Sequence, residues 1–313
     1  MSFESIKHRL YAGRPLVLDA DTGASFRSRR VELDAPGALG MMLRKSPEEV
    51  MRHYRAEVHS RVDVLSALTI DTTPRALAEV GMQHRAALLT GLAVEFAIEA
   101  ASESPKPVAV AGVLGGERVA PLAADRLHSE YTEHADRLAA AGCELLIARG
   151  QGSRLGLMAA TVAASSTDLP VWAVIECLPN GEFITGGTVG PLVEALQDAG
   201  ASVVLFEVAS IDGGVQLLDR VRAIVTAEGM VSGVLLAASS LSVRGFPDTS
   251  CDAEAWARRG LELDINGARI IGGGAGTTEA HTKAMASVLK EMHPSMPHLR
   301  SDTELDRRPP DLG

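Results

Sequence analysis

The stretch CELLIARGQGSRLGLMAATVAASSTDLPVWAVIEC, residues 143–177, decides the fold. Its two ends, 143–149 (CELLIAR) and 170–177 (PVWAVIEC), are apolar almost without interruption until a charged residue closes each run. Uninterrupted apolar runs of this length read as parallel strands buried on both faces, not as half-exposed strands, which would alternate. The residues between them read as a helix. The stretch is therefore one strand–helix–strand crossover.

The same unit recurs along the chain. Further apolar runs lie at 15–19, 62–69, 107–112, 201–208, 231–239 and 267–273, with helical patterns between them. Ser46-Pro47-Glu48-Glu49 reads as a capping box with Pro47 at the first helical position and Glu49 reaching back. Thr73-Pro74 opens a second helix in a similar way. Leu192, Val193, Leu196 and Ala199 share one helical face. Thr277 or Thr278 caps a last helix, with Glu279 in its first turn. Eight such units in about 280 residues predict an α/β fold of the (β/α)8 TIM-barrel type. No linker divides the chain, so a single barrel is expected over 1–298, followed by a polar tail at 299–313.

Composition narrows the function. The net charge of −10 argues against a nucleic-acid binder, which needs a basic stripe. The nearest candidate, Arg27-Ser28-Arg29-Arg30, reads as a basic loop on a solvated surface. No signal peptide and no run of about 18 apolar residues is present, so no membrane partner and a cytoplasmic location are expected. Three widely spaced cysteines exclude a disulfide scaffold. With 4% aromatics, the barrel is aliphatic, and its pocket is expected to select by charge more than by ring stacking.

In such a barrel the site lies at the C-terminal ends of the strands. That rule picks out Asp19, Asp21, Thr69, Asp71, Gly112, Arg149, Glu176, Cys177, Glu207, Ser239, Ser240 and Gly272 to Gly274. Glu176 and Glu207, acids at the ends of adjacent strands, suit general acid–base work or a hard cation. Arg149 suits a bidentate clamp for a substrate carboxylate, or a structural ion pair with Glu176 or Glu207. Asp19 suits hydrogen bonds to backbone N–H groups of the first turn. The glycine turn, with Gly273 and Gly274, leads into a helix and could dock an anion. Cys177 reads as a buried inert thiol, and His281 as a surface or packing residue.

Several segments resemble the homocysteine S-methyltransferase family: LDADTGA (18–24), VAVAGVLGG (108–116), EYTEHADRLAAAGCELLIARG (130–150), LPVWAVIEC (169–177) and IIGGGAGTT (270–278). They occur in family order. The resemblance implies a (β/α)8 barrel and methyl transfer to a small molecule. It also implies a zinc ion that holds the acceptor thiol as thiolate, bound by three cysteines. Those positions fall here on Val208, Gly274 and Ala275, while the cysteines present are Cys143, Cys177 and Cys251. The family zinc is therefore expected to be absent, and no other cofactor is expected. The family's acid at the end of the fourth strand is Arg149 here, and its Asn-Thr pair is Leu68-Thr69.

The expected function is thus a zinc-independent transferase acting on a small, anionic, carboxylate-bearing molecule. Asp19, Thr69, Arg149, Gly273 and Gly274 would bind the substrate, and Glu176 and Glu207 would be catalytic. A lyase, hydrolase or demethylase-type enzyme on the same barrel is the alternative, as is a non-catalytic homologue. Homo-oligomerisation is left open.

Overall fold

The computed structural model describes residues 2–31, 33, 36–115, 122–150, 152–178, 182–183, 187–238 and 252–293. Eight parallel strands close on themselves in sequence order, and the last pairs with the first. They are β1 (Leu16–Leu18), β2 (Val64–Ser66), β3 (Ala109–Leu114), β4 (Leu145–Arg149), β5 (Val171–Glu176), β6 (Ala201–Val208), β7 (Val231–Leu236) and β8 (Ile270–Gly273). Each falls on one of the eight apolar runs. The fold is a (β/α)8 barrel.

The uninterrupted apolarity of the strands has a two-sided cause. Inward side chains such as Leu145, Ile147, Trp172, Val174, Val203 and Leu205 fill the barrel, and their neighbours Leu146, Ala148, Ala173, Val204 and Phe206 pack under the helices. Two apolar layers thus share each strand at a period of two. The helix α1 (Ser2–Tyr11) precedes β1 and sends Ile6 and Leu10 into the inner cluster.

Between β1 and β2 lie α2 (Thr22–Ser28), α3 (Ala38–Lys45) and α4 (Pro47–His59). Pro47 takes the first turn of α4, but the Ser46 side chain makes no cap bond. Glu49 turns instead to Arg52, at 2.9 Å. Next come α5 (Pro74–Ala78) and α6 (Ala86–Ser102). Thr73 does cap α5, accepting from the Ala76 amide at 3.2 Å. The outer layer continues with α7 (Ala124–Ala141), α8 (Arg154–Ser165), α9 (Val189–Asp198), α10 (Ile211–Ala227), α11 (Ala253–Ile265) and α12 (Glu279–Met292). At the start of α12, Thr278 donates its amide to His281 Nδ1 at 3.1 Å. His281 is buried there, edge-on to Trp256.

The basic segment 27–30 is part helix and part turn. Arg27 and Ser28 end α2, Arg27 pairs with Asp21 at 3.5 Å, and Arg29 reaches Glu279 at 3.0 Å. Among the described residues, no helix is long and apolar enough to cross a membrane. The tail at 299–313, Ser239, Ser240 and Cys251 lie outside the described residues.

Candidate active site

A cavity of about 320 Å³ opens at the C-terminal end of the barrel. Strand alternation explains what lines it. Counting on from Ile147, Val174 and Leu205, the next inward position on β4, β5 and β6 is Arg149, Glu176 and Glu207. All three line the cavity. Glu176 and Glu207 stand in register on neighbouring strands.

Arg149 Nη2 donates to Glu207 Oε2 in a half-buried ion pair. Burial opposes the charge on Arg149, but Glu207, Glu176 and Asp21 outweigh it and raise its pKa. The clamp that the sequence offers to a substrate carboxylate is therefore held by a carboxylate of the protein. Among the described residues Glu176 makes no ion pair. Burial raises its pKa, Arg149 partly offsets this, and the Glu207 carboxylate adds to the rise.

Asp19 is almost fully buried against the cavity. Its donors lie on β2 and not in the first turn. The Ser66 amide donates at 2.7 Å and the Ser66 hydroxyl at 2.8 Å. Burial nevertheless pushes the Asp19 carboxyl up to about 6.

The glycine turn is likewise spent. The Gly273 amide donates to the Asp19 carbonyl and the Gly274 amide to the Leu236 carbonyl. The Gly276 amide donates to Asp21 Oδ2 at 3.1 Å, and the Asp21 amide donates in return to Thr277 Oγ1 at 3.0 Å. The anion at this helix entrance is Asp21 itself. Gly273 and Gly274 line the cavity as backbone, with no amide left for a ligand.

Thr69 stands outside the cavity. Its hydroxyl donates to the Val113 carbonyl at 2.8 Å and accepts the Val113 amide at 2.9 Å, and its carbonyl meets His134 Nε2 at 3.1 Å. It joins β2 to β3 and α7, and its buried hydroxyl spends its one proton on the Val113 carbonyl. Asp21 and Asp71, which the strand-end rule picks out, line the cavity, and so does Arg27, which the sequence places on a solvated surface. Glu57, which the rule misses, is fully buried on α4, where burial and the nearby Asp19 charge push its carboxyl up to about 8. Its spacing carries a signal: 50, 53, 54 and 57 form one helical face, and all four residues are buried.

The donor set does not fit a thiolate-bound zinc. Val208 packs outward into the helix layer, and the inward residue at that level is the carboxylate Glu207. A Cβ added at Gly274 would stand 2.9 Å from the Ala237 nitrogen and 3.0 Å from the Leu235 carbonyl oxygen, so no cysteine enters there without moving the chain after β7. Cys143 precedes β4 and Cys177 follows β5. They sit at opposite ends of the barrel, and burial pushes each thiol up to about 12. Among the described residues, no three His, Cys, Asp or Glu are arranged to hold a metal ion.

Comparison with known proteins places this site in a lineage. The barrel resembles the homocysteine methyltransferase MmuM from Escherichia coli in its metallated form. The TM-score is 0.75 at 15% identity, with 92% of this chain and all of that one covered (100%). The oxidized form of the same enzyme gives a TM-score of 0.74 at 16% identity, covering 88% and 96%. At these identities the likeness speaks for the fold. No curated protein matches the sequence. A family model, homocysteine S-methyltransferase, matches residues 16–289, from β1 to the last turn of α12. With nearly the whole barrel inside that match, the chain belongs to the homocysteine S-methyltransferase family.

Proposed function

We propose that the protein is a methyltransferase for a small molecule that works without the family's zinc. The observation that carries this reading is the Glu176–Glu207 pair. The two carboxylates stand in register over one cavity, yet one is tied to Arg149 and the other is not. Environments that separate two like groups are how a barrel assigns an acid–base role to one of them.

Glu176, with its pKa raised, is the base. An acceptor bound in the cavity gives its proton to the Glu176 carboxylate. The freed electron pair bonds the methyl carbon, and the donor departs with the electrons of the bond that breaks. Glu207 holds Arg149 in place, and Arg149 keeps the two neighbouring acids from repelling each other unopposed. Orientation in the cavity supplies the rest of the acceleration. A carboxylate-bearing substrate, as expected from the sequence, would compete with Glu207 for Arg149.

The test is transfer of a labelled methyl group from a panel of S-methyl donors to small thiol and amine acceptors, with a strong chelator present. Transfer that survives the chelator and falls about 10²–10⁴-fold in Glu176→Gln is the expected result. Loss of transfer on chelation, or full activity in Glu176→Gln, overturns the reading.

A further inference from the structure

Charge in the cavity is lopsided. Among the described residues, Asp19, Asp21, Asp71, Glu176 and Glu207 line it, against the guanidinium groups of Arg27 and Arg149. Arg149 is engaged by Glu207, while Arg27, 44% exposed, meets Asp21 at 3.5 Å. The helix entrance that could have received an anion is closed by the Asp21 carboxylate. Arg149 and the glycine turn, the two features that the sequence offers to an anion, thus each already hold one of the protein's own.

An added carboxylate or phosphate would thus enter a field that, among the described residues, is net negative. A cation would meet the reverse. Its desolvation would be offset by carboxylates already held in place, at no cost in reorganisation. The lining separates two kinds of cation as well. Quaternary ammonium and other N–H-free cations are recognised by aromatic faces. No Phe, Tyr, Trp or His is among the described residues that line the cavity. What the cavity presents is hydrogen-bond acceptors, which suit a cation with N–H groups. At about 320 Å³ it is at the small end of ligand pockets.

We infer that the ligand of this cavity is a small protonated primary or secondary amine with no carboxylate of its own, held by N–H donation to Glu176 and its neighbouring acids. This rests on the cavity being the transferase site proposed above, and it names the substrate class that site takes.

The inference is tested with three probes of matched size: n-butylamine, butyltrimethylammonium and butyrate. Calorimetric titration near pH 7.5 at low ionic strength leaves the amine protonated, as a lysine is. Butylamine is expected to bind at least tenfold more tightly than either of the others. Its affinity should fall at least tenfold in Glu176→Gln and again in Asp19→Asn, which offers a second variant should the first be unstable. Equal or tighter binding of butyrate or of the quaternary cation overturns the inference. So does unchanged butylamine binding in both variants. The measurement needs no turnover. Amine binding without any methyl transfer would sink the transferase reading alone, and transfer to a carboxylate-bearing acceptor with no amine binding would sink this inference alone.

Discussion

Two buried aspartates, one at each end of the barrel, have been treated in opposite ways. Asp63 opens β2 at the N-terminal end and is 1% exposed; Asp19 follows β1 at the C-terminal end and is 4% exposed. Burial alone would raise both pKa values. At Asp63 it is outweighed by Lys106 at 2.7 Å and Arg9 at 2.5 Å, so the carboxyl ends below its ordinary value. The Val17 amide donates to it as well, at 2.9 Å. At Asp19 the donors are Ser66 and the residue's own amide, Arg149 acts from farther off, and burial prevails. Where a charge serves the fold, cations seal it. Where it faces the cavity, it is left short of them. That shortage is what makes the upper end of the barrel a site for something positive.

Removing the sealed charge has the largest expected effect. Asp63→Ala leaves Arg9 and Lys106 facing each other and strips the Val17 amide of its acceptor. Because both cations are about one-third exposed, water relieves part of the loss. A destabilisation of about 3 kcal/mol is expected from urea unfolding near neutral pH. The pH sign follows from the lowered pKa. The contribution is present above the unfolded value of about 3.9 and fades as pH falls through the folded one. A loss under about 1 kcal/mol would break the comparison at its lower end.

Asp19→Asn should do the reverse. A carboxyl whose folded pKa is about 6 is bound to its proton more tightly folded than unfolded. Its favourable contribution is complete below the unfolded pKa and is lost as pH rises through about 6. The asparagine variant lacks that dependence, and its amide can still accept from and donate to Ser66. Relative to wild type it should therefore gain roughly 2–3 kcal/mol between pH 4 and 7.5, less whatever the charged hydrogen bonds were contributing. Glu57 titrates in both proteins, but in the variant it loses the Asp19 charge that helps raise its pKa, so its own burial cost also falls. A variant equally destabilised at every pH would show that Asp19 is structural, as Asp63 is.

The barrel was legible in the sequence because each strand is buried on both sides and reads as an apolar run. That same continuity hides which residues point inward. The resemblance put a zinc position on Val208, although Val208 packs against helices and Glu207 faces the cavity. The phase was recoverable only from charge: Arg149, Glu176 and Glu207 interrupt their strands, and all three face in. What closes the glycine turn was not legible, since Asp21 and Gly276 lie 255 residues apart. Arg27 and Arg29 looked like a solvated loop for a related reason. The short helix they end has its reasons elsewhere, in the first turn and on α12. Thr69 matched a family position by sequence, but its hydroxyl is consumed by β3.

The smallest expected change in stability tests the comparison most sharply. Arg27 is 44% exposed and 3.5 Å from Asp21. An exposed pair at that distance contributes little, so Arg27→Met should shift the unfolding free energy by less than about 0.5 kcal/mol. Its effect on the cavity should be larger than its effect on the fold. Asp21 keeps the Gly276 amide and stays where it is, but one of the two cations on the cavity wall is gone. If the upper end works by uncompensated acid, removing a cation deepens the negative potential, and butylamine should bind roughly 2–5-fold more tightly at low ionic strength. The Debye length shrinks to about 3 Å at 1 M salt, so the gain should vanish there. Tighter binding that persists at high salt would point to a steric effect of the lost side chain. Weaker binding would mean that Arg27 holds the ligand, which would make the cavity an anion site after all.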